Sequence, residues 1–388
     1  MKINVGVFFG GASVEHEISI ISAVQAIHSM DTEKYEVIPV YITKQGAMYC
    51  GEALKNIENF KDIDKLLAQC VKVDITRQAD LVIVKRAKQK TFDKKPLFRL
   101  DMAFPIVHGT NCEDGSIQGW FEILSLPYIG CDVISSAIGM DKVIFKNICQ
   151  QHNIPVLDCV SFYSREWIEN RGNITTSVNL IGFPVIVKPA NLGSSVGIKR
   201  VDSADELENA VNLALSFADK IMIEHAVTDL RELNCSVLGD VDECDASVCE
   251  EPVSDGEILS YDDKYMSKSS SKGMSSLKRK LPADISEEKS EEIRELSKRV
   301  FKAIGANGVV RIDFLMDSSD NDRVYVNEIN TIPGSLSFYL WEETGVKYPQ
   351  LIDRLAELAH KRARKKANLL FTYDTNILAG NVLGGVKK

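Results

Sequence analysis

Ile3, Val5, Val7 and Phe9 alternate up to a Gly10-Gly11 break, and this opening limits the possible folds more than any other stretch of the chain. β-Branched and aromatic residues at alternate positions read as a strand, and the paired glycines as the turn that ends it. A helix is expected next, with Ile18, Ile21, Ala26 and Ile27 on its apolar face, and residues 35–42 read as a second strand. Strand, glycine turn, helix, strand predicts an α/β fold whose first unit is an open, mostly parallel sheet. Further strands are expected at 80–84 and 102–107, the latter running into a polar loop from His108 to Gly119.

At roughly 100–200 residues per domain, a chain of 388 residues has room for two or three. The pattern divides it into an N-terminal α/β domain (1–131), a central unit (132–225), a C-terminal unit (226–379) and a flexible tail (380–388). In the central unit a helix is expected at 141–152, ended by Pro155. Strands at 183–188 and 196–201 flank a short Gly/Ser loop and form a hairpin, and a short strand follows at 221–224. Ser203 and Glu206 are expected to make a capping box for a helix bearing Leu207, Val211 and Leu215. The C-terminal unit has strands at 234–238, 309–315 and 324–329, and a serine-rich, basic stretch at 264–280 that reads as a mobile loop. Asp284 and Glu287 are expected to cap a helix carrying Ile293, Leu296, Val300 and Ile304, and a last helix carries Leu351, Leu355 and Leu358.

Composition removes several classes. The apolar share of 45% and charged share of 26% exclude a largely disordered chain. A net charge of -9 argues against a nucleic-acid coat protein. The basic run at 361–366 reads as a helix C-terminus rather than a nucleic-acid contact. Nine cysteines with no C-x-x-C pair give neither a zinc site nor a disulfide framework, and read as buried residues of a reducing compartment. No apolar run of about 18–20 residues is present, so the expectation is a cytoplasmic protein with no membrane partner.

Two constellations carry chemistry. The loop from Lys188 to Gly197 combines a lysine, two glycines and two serines, a set that can present a cation and backbone N–H groups to phosphate. It is not a Walker A loop, and Gly10-Gly11 does not complete a G-x-G-x-x-G fingerprint; a plain turn with a surface lysine is the alternative. On the later strands, Arg311 shares a face with Asp313, and Glu328 with Asn330. If these strands pair, oxygen ligands suited to Mg²⁺ converge beside an arginine, the alternative being a solvated polar face. The turn 331–335 can add backbone donors. Glu15 and Glu17 follow the first glycine turn, where open α/β sheets place ligands, although acidic residues also stabilise a helix start. His108 with Glu113-Asp114 occupies a comparable loop, and Lys264 and Tyr265 stand at the mouth of the serine-rich stretch. His28 and His225 read as structural or surface residues.

In order along the chain, GGASVEHEISIISA (10–23), HGTNCEDGSIQG (108–119), SAIGMDKVIFK (136–146), FPVIVKPANLGSSVGI (183–198), DDKY (262–265), RIDF (311–314) and VNEINTIPG (326–334) resemble the D-alanine–D-alanine ligases of the ATP-grasp superfamily. The resemblance runs from Val5 to about Leu358 and implies an ATP-grasp fold. It implies ATP-dependent joining of two D-alanines through a D-alanyl phosphate, for peptidoglycan precursors, in a cytoplasmic homodimer. It assigns Lys142 and Lys188 to the nucleotide phosphates, Glu224 to the adenine amino group, Glu232 to the ribose and Lys264 to the transferred phosphate. Asp313, Glu328 and Asn330 would hold two Mg²⁺ ions, with Mn²⁺ as a substitute. Glu15 would bind the first substrate's ammonium, linked through Ser194 to Tyr265, and Arg311 with the Gly334 N–H would face the oxyanion. His108, Ser335, Tyr339 and Leu340 fall to the substrate subsites. The chain departs from the family at Asn111-Cys112 and over 335–341, where Tyr339 takes a position usually held by a carboxylate-binding serine. Tyr265 implies an amine acceptor rather than D-lactate, which leaves a D-alanine–D-serine ligase as the alternative. A nucleotide-binding regulator without catalysis is the alternative of another class.

Overall fold

The computed structural model describes residues 2–88, 95–193, 196–253 and 279–372. Ser194, Lys264 and Tyr265 lie outside the described residues, as do most of the 264–280 stretch and the whole 380–388 tail.

Three sheets form the frame. The first holds β1 (Ile3–Gly10), β2 (Tyr35–Ile42), β3 (Met48–Cys50), β4 (Val71–Gln78), β5 (Leu81–Arg86), β6 (Phe98–Leu100) and β7 (Met102–Ile106), in the order β6-β5-β4-β3-β2-β1-β7. As the opening residues imply, β1 runs parallel to β2 on one side and β7 on the other. Val5, Val7, Phe8 and Phe9 are all buried, so this central strand has core on both faces. The sheet is more mixed than expected, because β3 to β6 extend it antiparallel beyond β2. The short connection through residues 43–47 accounts for this, since a parallel neighbour needs a crossover of roughly a dozen residues or more. Placing β1 beside β7 brings the loops after both strands to one edge. The helix α1 (His16–Ser29) starts there, burying Ile20, Ala23, Val24 and Ile27.

The second sheet has β8 (Cys159–Tyr163), β9 (Val185–Pro189), β10 (Lys199–Val201) and β11 (Lys220–His225), ordered β10-β9-β11-β8. The expected hairpin is present, with Lys199 opposite Val187. The third sheet has β12 (Leu230–Gly239), β13 (Cys244–Pro252), β14 (Arg279–Lys280), β15 (Gly308–Asp317) and β16 (Arg323–Asn330), ordered β14-β13-β12-β15-β16. The two carboxylate-bearing strands pair antiparallel, putting Asp313 opposite Glu328 and Arg311 opposite Asn330, with a register shift just after Asp313.

Two helix starts differ from expectation. Ser203 precedes the helix Ala204–Leu215 but its side chain makes no capping bond. The helix Glu287–Ala303 is capped by Ser286, which accepts from the Lys289 N–H at 3.2 Å. Asp284 lies two residues too early to reach that first turn.

The helix Tyr348–Ala367 packs Leu351, Ile352 and Leu355 into the same apolar cluster as β1 and β7, tying the end of the chain to its beginning. Its basic end is engaged within the fold. Arg362 donates to the carbonyls of Tyr128 and Gly130, Lys361 pairs with Asp240 at 2.6 Å, and Lys365 and Lys366 pair with Asp242 and Glu122. All nine cysteines are free thiols. Among the described residues no helix is long and apolar enough to cross a membrane.

Candidate active site between the three sheets

One cavity is lined by strand residues of the second and third sheets and by α1 and the loops after β1 and β7, and twelve of the seventeen residues that the family resemblance assigns meet around it. Lys142 is the first residue of the helix Lys142–Gln151, whose start is capped by Asp141. Its Nζ donates to the Leu192 carbonyl at 2.9 Å and lies 3.3 Å from Glu328 Oε2. Lys188 enters from β9, with its Nζ donating to Asn327 Oδ1 at 3.2 Å and pairing with Glu224 on β11. Burial alone would raise the Glu224 pKa, but Lys146 and Lys188 outweigh it and hold the carboxyl at about 2. Glu232 lines the same cavity from β12.

The β15–β16 pair supplies the oxygen-rich wall. Arg311 grips Asp313 with two bonds, Nε to Oδ1 at 2.6 Å and Nη2 to Oδ2 at 2.7 Å, and Asn330 Nδ2 donates to Asp313 Oδ2 at 3.0 Å. Burial works against the Arg311 charge, yet Asp313 more than compensates and pushes its pKa up. Among the described residues no three His, Cys, Asp or Glu side chains gather into a ready-made metal cage. The candidate set is instead two carboxylates and an amide. That is a donor set for Mg²⁺, which takes one or two carboxylates and completes its shell with substrate phosphates and water.

Glu15, at the start of α1, also lines the cavity. Gly109 makes room for it: its φ is +80°, and a Cβ there would fall 3.0 Å from Glu15 Oε2. Glu113 straps the first unit to the third, Oε2 accepting from the Gly109 N–H at 2.8 Å and Oε1 from the Ile332 N–H at 3.1 Å. Burial and the nearby Glu15 push its carboxyl well above the usual carboxylate range. His108 lines the cavity with Nε2 3.0 Å from Ser22 Oγ, and burial lowers its pKa.

After Pro333-Gly334 the backbone takes three successive left-handed non-glycine residues, Ser335, Leu336 and Ser337, at φ of 50–54°. Each such conformation costs about 1–2 kcal/mol, and it persists only where neighbours enforce it. Here α1 does so: the Ser335 N–H donates to Ser22 Oγ at 2.9 Å, and Ser335 Oγ donates to Gln25 Oε1 at 2.7 Å. The strained turn thus keeps Gly334 on the cavity wall.

Three residues expected at the substrate subsites have other engagements in this structure. Ser335 does not line the cavity, because its hydroxyl and N–H are committed to α1. Leu340 is fully buried away from the lining, packing as core. Tyr339 does line the cavity, but its hydroxyl donates to Glu250 Oε1 at 2.8 Å, so its one proton is unavailable to a substrate carboxylate. His225, read as structural or surface, also reaches the lining.

Sequence reasoning missed the cluster around Tyr339. Glu250 accepts from Asn234 Nδ2 at 3.0 Å and from Arg279 Nη1 at 2.9 Å, and the Arg279 guanidinium lies 4.0 Å from the Tyr339 ring centroid. No motif announces residues that meet only through the pairing of β12, β13 and β14. Lys146 was missed too, although its place one turn after Lys142 was a signal.

Known proteins share this sequence pattern and fold. Residues 4–131 match the family described as D-ala D-ala ligase N-terminus, and residues 148–357 match D-ala D-ala ligase C-terminus. The chain is 39% identical over 378 residues to the D-alanine--D-alanine ligase of Thermosipho melanesiensis, covering 97% of this chain and 98% of that protein. Its fold superposes on the D-alanine-D-alanine ligase from Coxiella burnetii with a TM-score of 0.78 at 30% identity, covering 94% of this chain and 96% of that one. It also superposes on the VanG D-Ala:D-Ser ligase from Enterococcus faecalis, with a TM-score of 0.77 at 29% identity and coverage of 92% and 100%. From its first strand to its last long helix, this chain belongs to the D-alanine–D-alanine ligase family of the ATP-grasp superfamily.

Proposed function

We propose that the protein joins two molecules of D-alanine, with ATP converted to ADP and phosphate, to make the dipeptide used in peptidoglycan precursors. The observation that carries this reading is that two lysines, an oxygen-donor set, Glu15, Arg311 and Gly334 all line one cavity. A carboxylate is a poor acylating agent, so the first D-alanine must be activated, and transfer of the γ-phosphoryl group to its carboxylate gives an acyl phosphate. Lys142 and Lys188 offset the charge on the phosphates during that transfer. Glu224 and Glu232 orient the adenine and ribose. Asp313, Glu328 and Asn330 are the residues that would hold Mg²⁺ (or Mn²⁺), which would supply positive charge to the phosphoryl oxygens.

Glu15 holds the ammonium of the first D-alanine and so aims its carboxylate at the phosphates. The second D-alanine, once its ammonium has lost a proton to solvent, attacks the activated carbonyl through its free amine, and phosphate leaves with the bonding pair of the carbonyl–oxygen bond that breaks. Arg311 and the Gly334 N–H face the oxygen on which charge develops, and a donor so placed contributes about 3–4 kcal/mol in comparable sites. The strap through Glu113 and the bonds from Ser335 to α1 keep these donors at a constant distance from Glu15. The protein acts in the cytoplasm, as a homodimer.

A second reading keeps the mechanism and changes the acceptor to D-serine. The likeness to the VanG D-Ala:D-Ser ligase and the unusual tyrosine at position 339 favour weighing it. The test is ATP-dependent phosphate release with D-alanine alone, then with D-alanine plus D-serine or D-lactate, with products identified by mass. D-alanyl-D-alanine from D-alanine alone is the expected result. Turnover only with D-serine present would move the acceptor, and no turnover with any D-amino acid would overturn the ligase reading.

A further inference from the structure

The helix Lys142–Gln151 carries two lysines one turn apart, and they face different surroundings. Lys142 lines the cavity. Lys146 does not: only 1% of its surface is exposed, its Nζ lies 3.3 Å from the Leu157 carbonyl, and it pairs with Glu224 Oε2. Glu224, 2% exposed, pairs through its other oxygen with Lys188. One buried carboxylate therefore has two ammonium partners, one inside the protein and one on the cavity wall.

This arrangement matters because a buried carboxylate stripped of its counterion is strongly disfavoured. A lysine that is a carboxylate's remaining partner is not free to turn toward a ligand. With two partners, either can leave while the other neutralises the charge, and of these two only Lys188 lines the cavity. We propose that Lys146 is a positioning residue that keeps Glu224 neutralised, so that Lys188 can move from Glu224 to the nucleotide phosphates. This rests on the reading that Lys188 meets those phosphates. In the absence of Lys146, ATP has to compete with Glu224 for Lys188, so nucleotide affinity falls while the chemistry after binding is little changed.

The test uses the full-length enzyme and compares wild type, Lys146→Met, Glu224→Gln and the double variant. KM for ATP and kcat are measured alongside calorimetric binding of ATP. Lys146→Met is expected to raise KM for ATP by about tenfold or more, equivalent to about 1.4 kcal/mol, with kcat within about threefold of wild type. In the Glu224→Gln background no carboxylate remains to hold Lys188, so adding Lys146→Met should cause no further rise. A structural role alone would lower stability and kcat in both backgrounds, without this dependence on Glu224.

An unchanged KM for ATP in Lys146→Met, with wild type active, overturns the proposal and leaves the ligase reading standing. If Lys146→Met does not fold, the pair Glu224→Gln and Lys146→Met/Glu224→Gln decides: a further loss of ATP binding on removing Lys146 there overturns it, and equal affinities support it. Failure of the wild-type protein to bind ATP would remove the ligase reading itself, and this inference with it.

Discussion

Replacing Tyr339 by phenylalanine separates two jobs that this position could do. The substitution keeps the ring, and with it the contact of the Arg279 guanidinium at 4.0 Å, and removes only the hydroxyl that donates to Glu250 at 2.8 Å. Glu250 is buried, and it retains Asn234 at 3.0 Å and Arg279 at 2.9 Å. A hydrogen bond to a charged group contributes roughly 1.5–3 kcal/mol, and that is the expected loss of stability. With roughly 2–4 °C per kcal/mol for a cooperative unit of this size, the melting midpoint should fall by several degrees. The KM for the acceptor D-alanine should change by less than about threefold, because the hydroxyl proton points at Glu250 and not at substrate. Thermal unfolding and the two apparent D-alanine constants, measured on one preparation, provide both readouts. An unchanged melting midpoint together with an acceptor KM raised about tenfold or more would refute the reasoning, and would return Tyr339 to the role held by serine in the family.

Glu328→Gln should cut kcat by roughly 10²-fold or more, yet cost little stability, since its partly exposed pair with Lys142 spans 3.3 Å; comparable losses of fold and turnover would argue against a metal role. Ser335→Ala removes the 2.7 Å bond to Gln25 and should cost about 0.5–1.5 kcal/mol, while KM for D-alanine stays within about twofold if the residue is structural. The Glu224 carboxyl, held at about 2 against an ordinary 4.5, binds fewer protons folded than unfolded between those values, so it contributes stability above pH 4.5 that is lost as pH falls toward 2. Glu224→Gln should flatten that limb of the stability profile by roughly 3 kcal/mol, measured by denaturant unfolding at stepped pH; an unaltered slope would mean that Glu224 is not held ionised by its lysines.

Much of the site is legible in the sequence, and for a local reason. A strand alternates its side chains, so the pairs Arg311/Asp313 and Glu328/Asn330 had to share faces once those segments were recognised as strands. Likewise Glu15 follows a glycine turn after a buried parallel strand, which fixes it at the ligand edge of the sheet. The N-terminal sheet is legible in its parallel centre and in β5, but not in β3, β4 and β6, because that antiparallel part depends on short connections among weakly patterned strands.

Residues that act through distant partners are not readable in this way. Ser335 lies next to Gly334 in a motif-bearing turn, which invites a substrate role, yet α1 some 310 residues earlier takes both of its polar groups. Tyr339 sits at a family substrate position, and only the pairing of β13 with β12 and β14 reveals the carboxylate that claims its proton. Lys146 looks from the sequence like one more lysine on an amphipathic helix, whereas packing buries it against Glu224. The sequence alone determined the family, the principal strands and helices and the chemical types around the cavity, since these follow from periodicity and from residue identity at short range. Tertiary structure alone decided which of those groups are already bonded to each other, because hydrogen bonds and ion pairs between remote segments depend on distances that no local pattern encodes.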